Sequence, residues 1–244
     1  MNYIYGLLMS LGMFTVIPCP YKGWREDARG HMLVCFPIIG GIIGFIWYVL
    51  YKYTYFIPMY LRAVIVAFTP WFITGFIHID GYMDVCDAVM SRRDLETKQR
   101  ILKDSRVGAF AVICICILSL TQVAAVLSFI ESGKDIISTG LILIPIASRI
   151  CASLAVLNMK PMHTSQYTNL NKKTQFNILL LLMFCAIFLI FGISVRIGIS
   201  VAVTMTTYSI CALYGNKMLG GMNGDISGYA LTLGELAGII GLII

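Results

Sequence analysis

The sequence predicts an all-α polytopic transmembrane bundle of about seven spans (six to eight), forming one integral membrane domain over residues 1–244. Three observations point there. Of the 244 residues 59% are apolar and 12% charged, against about 25% charged in an ordinary soluble domain, so there is too little polar surface to coat a soluble globule of this size. The apolar residues fall in runs of roughly 20, the length that crosses a bilayer as a helix. The basic residues, finally, gather in alternate connections between those runs, as the positive-inside rule requires.

Taken in order, the stretch 1–17 is apolar but short, and reads as a span, a re-entrant piece or an interfacial helix. It lacks a basic start and a small-residue cleavage site, so a removable signal peptide is not expected. Pro18 and Pro20 then bend the chain. Runs over 33–51, 59–79, 107–130 and 136–157 are the next four spans. The first of them contains Phe36-Pro37 and then Gly40 and Gly44, a spacing that suits a close helix contact. Residues 176–193 and 195–214 form two more, separated by Gly192-Ile193-Ser194 beside Arg196, and 229–244 is the last. The eight cysteines are scattered through apolar runs without a CxxC pair, so they read as small buried hydrophobes.

The connections 18–32, 80–106, 158–175 and 215–228 lie on one face if the spans alternate, and they hold thirteen of the eighteen Lys and Arg residues. That face is therefore expected to be cytoplasmic. The net charge of +6 is thus a topology signal and not a nucleic-acid footprint. Asp and Glu contribute little to orientation, so their placement is separate information: six of the twelve fall between 80 and 104.

The run Thr74-Gly-Phe-Ile-His78-Ile-Asp80-Gly-Tyr-Met-Asp84-Val-Cys-Asp87 carries the chemistry. In a helix Asp80, Asp84 and Asp87 stack at i, i+4 and i+7 on one face. Three like charges so placed repel one another, and a divalent cation removes the repulsion; magnesium is held by one or two carboxylates plus substrate phosphates. The bland alternative is a solvated helix end neutralised by Arg92, Arg93 and Lys98. It fits Asp87, Asp94 and Glu96 better than Asp80 and Asp84, which adjoin a span, where ionisable groups are costly and usually functional. His78 lies off the carboxylate face unless the helix opens at Gly81, and is open to reading as a base, a phosphate contact or an interfacial residue.

Two further motifs join it. Lys103-Asp-Ser105-Arg106-Val-Gly108 precedes a long apolar helix, which Ser105 is placed to cap, with Lys103 and Arg106 suited to phosphate; an ordinary juxtamembrane basic cluster is the alternative. Gly220-Gly221-Met-Asn-Gly224-Asp225 is a glycine-rich approach to backbone, with Asp225 as a further metal ligand or base. Glu235 follows within a span, either as part of that motif or paired with Arg149 or Arg196. His163 reads as a loop histidine.

Together with Phe14-Thr-Val-Ile-Pro18-Cys-Pro20 and Phe36-Pro-Ile-Ile-Gly40-x3-Gly44, these motifs resemble, in order and over nearly the whole chain, the cobalamin-5′-phosphate synthase family (adenosylcobinamide-GDP ribazoletransferases). The histidine–triple-aspartate run followed by Asp-Ser-Arg is the specific part. The resemblance implies a magnesium-dependent enzyme of the cell (inner) membrane that closes the nucleotide loop of cobamides. It joins adenosylcobinamide-GDP to α-ribazole or its 5′-phosphate and releases GMP. It further implies Asp80, Asp84 and Asp87 on Mg2+, Lys103, Ser105, Arg106, Gly220, Gly221 and Gly224 on substrate, and His78 or Asp225 taking the hydroxyl proton. Besides the substrates, the expected partners are membrane lipid and either a second copy of the chain or other cobamide-assembly enzymes. The chain departs from the family pattern at Phe76, where a second glycine is usual, at Ala88, where glycine is usual, and in the loop 158–175, which lacks a Gly-Leu-Gly element.

Two rival readings stand beside it. A CDP-alcohol phosphotransferase pattern fails where Asp80-Gly-Tyr-Met meets Asp84 instead of Ala-Arg. A transporter would place its acids near the bilayer midplane within inverted repeats, and no repeat is visible here.

Overall fold

The computed structural model describes residues 2–21, 23–133, 135–162, 175–182 and 194–244. The described residues are almost entirely helical: α1 (Asn2–Phe14), α2 (Arg29–Tyr53), α3 (Met59–Ile73), α4 (Ile77–Met90), α5 (Leu95–Ile101), α6 (Ala109–Glu131), α7 (Gly140–Asn158), α8 (175–182), α9 (Val195–Leu219) and α10 (Gly224–Ile243). The one β-type pairing among them is a parallel bridge between Pro161 and Met222.

Five helical stretches are long and apolar enough to cross a membrane, and α3 with α4 makes a sixth if that bent pair is one span. The described residues thus hold five or six of the seven spans expected. The run 176–193 lies largely outside them, and 1–17 forms a thirteen-residue helix.

Three expected boundaries shift. The run 59–79 is not one straight span: α3 ends at Ile73 and the chain turns by 90° before α4. Helix α9 runs on to Leu219, and α10 begins at Gly224 instead of near 229, because Asn223 caps it by accepting the Ile226 N–H at 3.0 Å. The presumed loop 215–228 is thereby reduced to Gly220–Asn223 between two long helices. His163, Lys172, Lys173 and the Gly192-Ile193 turn lie outside the described residues.

Between helices in a bilayer the hydrophobic effect has nothing to drive, so close backbone approach and interhelical hydrogen bonds do the packing. Gly40 and Gly44 perform the contact their spacing suggested: a Cβ on Gly44 would stand 2.6 Å from the Ile142 carbonyl, so α2 and α7 touch backbone to backbone. Hydroxyls stitch other pairs. Ser153 donates to Leu33 O at 2.7 Å, Ser10 to Met32 O at 2.8 Å and Ser200 to Gly238 O at 2.6 Å.

One end of the bundle collects the polar connections. Val16 N–H donates to Ile73 O at 2.8 Å, Gln99 Nε2 to Leu219 O at 2.8 Å, and Met162 N–H to Met222 O at 2.9 Å. The segment after α1 is thereby tied to the end of α3, and α5 and the segment after α7 to the end of α9 and the turn that follows it.

Candidate active site

The site begins at the break between α3 and α4. Gly75 (φ +58°) and Phe76 (φ +63°) both adopt the left-handed conformation, which ends α3 and sends the chain off at a right angle. Helix α4 then carries His78, Asp80, Asp84 and Asp87 in unbroken helical register, giving the i, i+4, i+7 stack read from spacing.

A second helix supplies the fourth carboxylate. Gly81 lies against the first turn of α10: a Cβ there would stand 2.8 Å from the Asp225 Cα. One turn along, Gly228 lies against His78, with a Cβ placed 3.0 Å from its carbonyl. These two glycines let α4 and α10 meet closely enough to bring Asp225 to Asp80 and Asp84. Asn223 orients it, donating from Nδ2 to Asp225 Oδ2 at 2.7 Å while its Oδ1 caps the helix. The charges that reach Asp84 are those of Asp80, Asp225 and Asp87, all of one sign. Among the described residues no Lys or Arg pairs with any of the four.

Asp87 sits at the far end of the row. Its carboxylate packs on Gly108, so closely that a side chain at 108 would occupy the same space. Gly108 is the N-cap of α6, where the helix dipole favours a negative charge. Asp87 thus also anchors the start of a span.

Beside the carboxylates lies a cavity of about 610 Å3 lined by Phe14, Phe36, His78, Asp80, Lys103, Asn223, Gly224, Asp225 and Ser227, among others. His78 is buried between the rings of Phe14 and Phe36, each with its centroid 6.3 Å away, and among the described residues its Nε2 has no hydrogen-bond partner. Among the described residues Lys103 is the one Lys or Arg in the lining. Gly224 leaves open space where a Cβ would be.

Other expected residues fall elsewhere. Arg106 points away from the cavity into an exposed pair with Asp104, 2.7 Å long, and these hydrogen bonds hold Asp104 down to about 2. Ser105 does not cap α6, because the N-cap is Gly108, three residues later, and the helix starts at Ala109. Gly220 is the left-handed C-cap of α9 (φ +80°), and Gly221 packs on Met162, so neither reaches the cavity. Glu235 pairs with Arg149, with Ser148 adding a 2.9 Å hydrogen bond to the same oxygen. The residues that sequence reasoning missed are Asn223, Phe14, Phe36 and Ser227. Of these only Asn223 had a readable signal, an N-cap residue ahead of an apolar run.

No three His, Cys, Asp or Glu side chains among the described residues converge into a ready-made metal cage. The row of unneutralised carboxylates nevertheless suits magnesium, which uses one or two carboxylates and fills its remaining positions with water and phosphate oxygens.

A family profile described as Cobalamin-5-phosphate synthase matches residues 6–243. The chain belongs to that family. Among its relatives, a Clostridium botulinum protein is 39% identical over 245 residues, covering 98% of this chain and 96% of the relative. One from Clostridium perfringens is 38% identical over 241 residues, covering 95% and 94%. A more distant one from Lachnoclostridium phytofermentans is 27% identical over 256 residues, covering 100% and 95%. All three carry the name adenosylcobinamide-GDP ribazoletransferase. No solved structure matches the chain. Within the cobalamin-5-phosphate synthase family pattern, the departure at Phe76 now has a location, since it falls on the second left-handed residue of the bend.

Proposed function

We propose that this chain is a magnesium-dependent adenosylcobinamide-GDP ribazoletransferase of the cell membrane, with its site on the cytoplasmic face. The observation that carries this is the meeting of Asp80 and Asp84 with Asp225 across the α4–α10 crossing, unneutralised and bordering a cavity that contains Lys103. Family membership and the names of the relatives support the substrates: adenosylcobinamide-GDP and α-ribazole or its 5′-phosphate.

In the reaction a ribazole hydroxyl oxygen bonds to the phosphorus on the corrinoid arm. The bond from that phosphorus to the bridging oxygen breaks, and GMP leaves with the bridging oxygen. Asp80 and Asp84 would hold magnesium, with Asp87 continuing the row. Bound there, the metal neutralises pyrophosphate charge and favours departure of the phosphate leaving group. Lys103 adds the positive charge of the cavity wall next to the leaving group. Asp225, oriented by Asn223, receives the hydroxyl proton; His78, in the same wall, is the other acceptor within the cavity. Phe14 and Phe36 close the apolar side and limit the access of water, which would otherwise compete as nucleophile.

The test is reconstitution in liposomes with both substrates and magnesium, following GMP and cobamide by mass spectrometry. Product formation that needs magnesium, and falls by roughly two orders of magnitude or more in Asp84→Asn, is the expected result. Absence of product from folded protein overturns the assignment. Wild-type rate in Asp84→Asn keeps the reaction but removes Asp84 from the metal site.

A further inference from the structure

A second cavity, of about 750 Å3, opens away from the active site, where α4 and α5 meet the ends of α6 and α9. Its polar wall is Ser91, Arg92 and Lys98, and its apolar wall includes Met90, Phe110 and Tyr214. Among the described residues no acidic side chain lines it.

Lys98 is the decisive group. It is only 8% exposed, on a short helix packed between α4 and α9, yet among the described residues it forms no ion pair and no side-chain hydrogen bond. A lysine with a buried stem normally snorkels its ammonium to water or to an anion. Here the ammonium's outlet is the cavity it lines. Arg92, exposed on the same wall, forms no ion pair and no side-chain hydrogen bond among the described residues, and it sits on a left-handed backbone (φ +53°), a conformation that costs a residue with a β-carbon. The carboxylate nearest Arg92 in sequence, Asp94, is occupied by Thr97, accepting from its N–H at 3.0 Å and its hydroxyl at 2.8 Å, and Glu96, nearest to Lys98, is exposed and outside the cavity lining.

The apolar wall says what kind of anion fits. Met90, Phe110 and Tyr214 are 42%, 41% and 46% exposed, at the ends of membrane-crossing helices. In a bilayer that surface faces acyl chains, and a tyrosine at such a helix end marks the headgroup level. Two unpaired cations at headgroup height, above an apolar groove, match a molecule with a phosphate at one end and hydrocarbon at the other.

We propose that this cavity is a binding site for an anionic phospholipid, with Lys98 and Arg92 on the phosphate and the acyl chains along Met90, Phe110 and Tyr214. Basic pockets between helices on the face that carries the positive loops are where anionic headgroups are held. The site is separate from the carboxylate row and does not depend on the reaction assigned above.

The test is native mass spectrometry of the purified full-length chain in detergent, titrated with dioleoyl-phosphatidylglycerol or dioleoyl-phosphatidylcholine. Selective retention of phosphatidylglycerol is expected. Lys98→Met and Arg92→Gly should each weaken it roughly five- to tenfold, and Arg100→Gln, an exposed cation outside the cavity, should leave it unchanged. Arg92→Gly keeps the left-handed backbone open to the chain, so it carries the test if Lys98→Met fails to fold. Equal retention of the two lipids, insensitivity to Arg92→Gly, or an equal loss in Arg100→Gln overturns the proposal. Displacement of the lipid by millimolar inorganic phosphate would overturn it in favour of a free-phosphate site.

Discussion

A single amide, that of Asn223, does two jobs: its oxygen caps α10 and its nitrogen holds Asp225. The jobs are separable. Serine caps a helix about as well as asparagine but has no amide to donate to the carboxylate. Asn223→Ser should therefore leave the melting temperature nearly unchanged while lowering turnover about tenfold or more, since losing the orientation of a proton-accepting group costs on that order. An unchanged turnover would mean Asp225 needs no such support. At this scale the sequence was most readable where chemistry and spacing coincide. Asp80, Asp84 and Asp87 declare a shared face by their intervals, and Asp225 stands out among glycines. Arg106 misled because a cation near a phosphate site is open to capture by its own neighbour, and Asp104, two residues away, takes it. Asn223 is hard to read because the apolar run begins only near 229, five residues past the true start of its helix at Gly224.

At the scale of elements, the site depends on one bend and one crossing. Hydropathy alone runs unbroken through 59–79 and gives no hint of a right angle; the two left-handed residues that make it are visible only in the backbone. A left-handed conformation costs a residue with a β-carbon roughly 1–2 kcal/mol, offset at Phe76 by its contact with Phe72, 5.1 Å between ring centroids. Phe76→Gly should accordingly change stability by no more than about 1 kcal/mol in either direction and retain activity, which thermal unfolding and turnover would check. The crossing is far less tolerant. A methyl group on Gly81 meets the backbone of α10 instead of a movable side chain. Gly81→Ala should destabilise by about 1–3 kcal/mol and abolish turnover, because Asp225 is pushed away from Asp80 and Asp84. Full activity in that variant would show that the two helices do not cooperate in the reaction.

For the whole molecule, the bilayer reading followed from composition and span length, and the fold agrees wherever residues are described. The partner of Glu235 needed the fold, because Arg149 and Arg196 were equally available on paper. The pair it forms with Arg149 is fully enclosed and ties α7 to α10. Glu235→Gln leaves a guanidinium stranded in the interior and should destabilise by about 3–5 kcal/mol. Replacing both charges, Arg149→Met with Glu235→Leu, should recover most of that loss, since an apolar pair of similar size is often as stable as a buried ion pair. Denaturant unfolding in detergent distinguishes the two variants. If the double variant is as unstable as the single one, the pair is doing more than neutralising itself.

The same pair also sets an order of events during synthesis. Arg149 is made 86 residues before Glu235, so it must enter the bilayer, or wait at its edge, with its counter-charge not yet made. The helix that brings Glu235 also brings Asp225 and Asn223. Completion of the reactive centre and relief of the stranded charge are therefore one step. A chain lacking α10 therefore lacks both the fourth carboxylate and the counter-charge of Arg149.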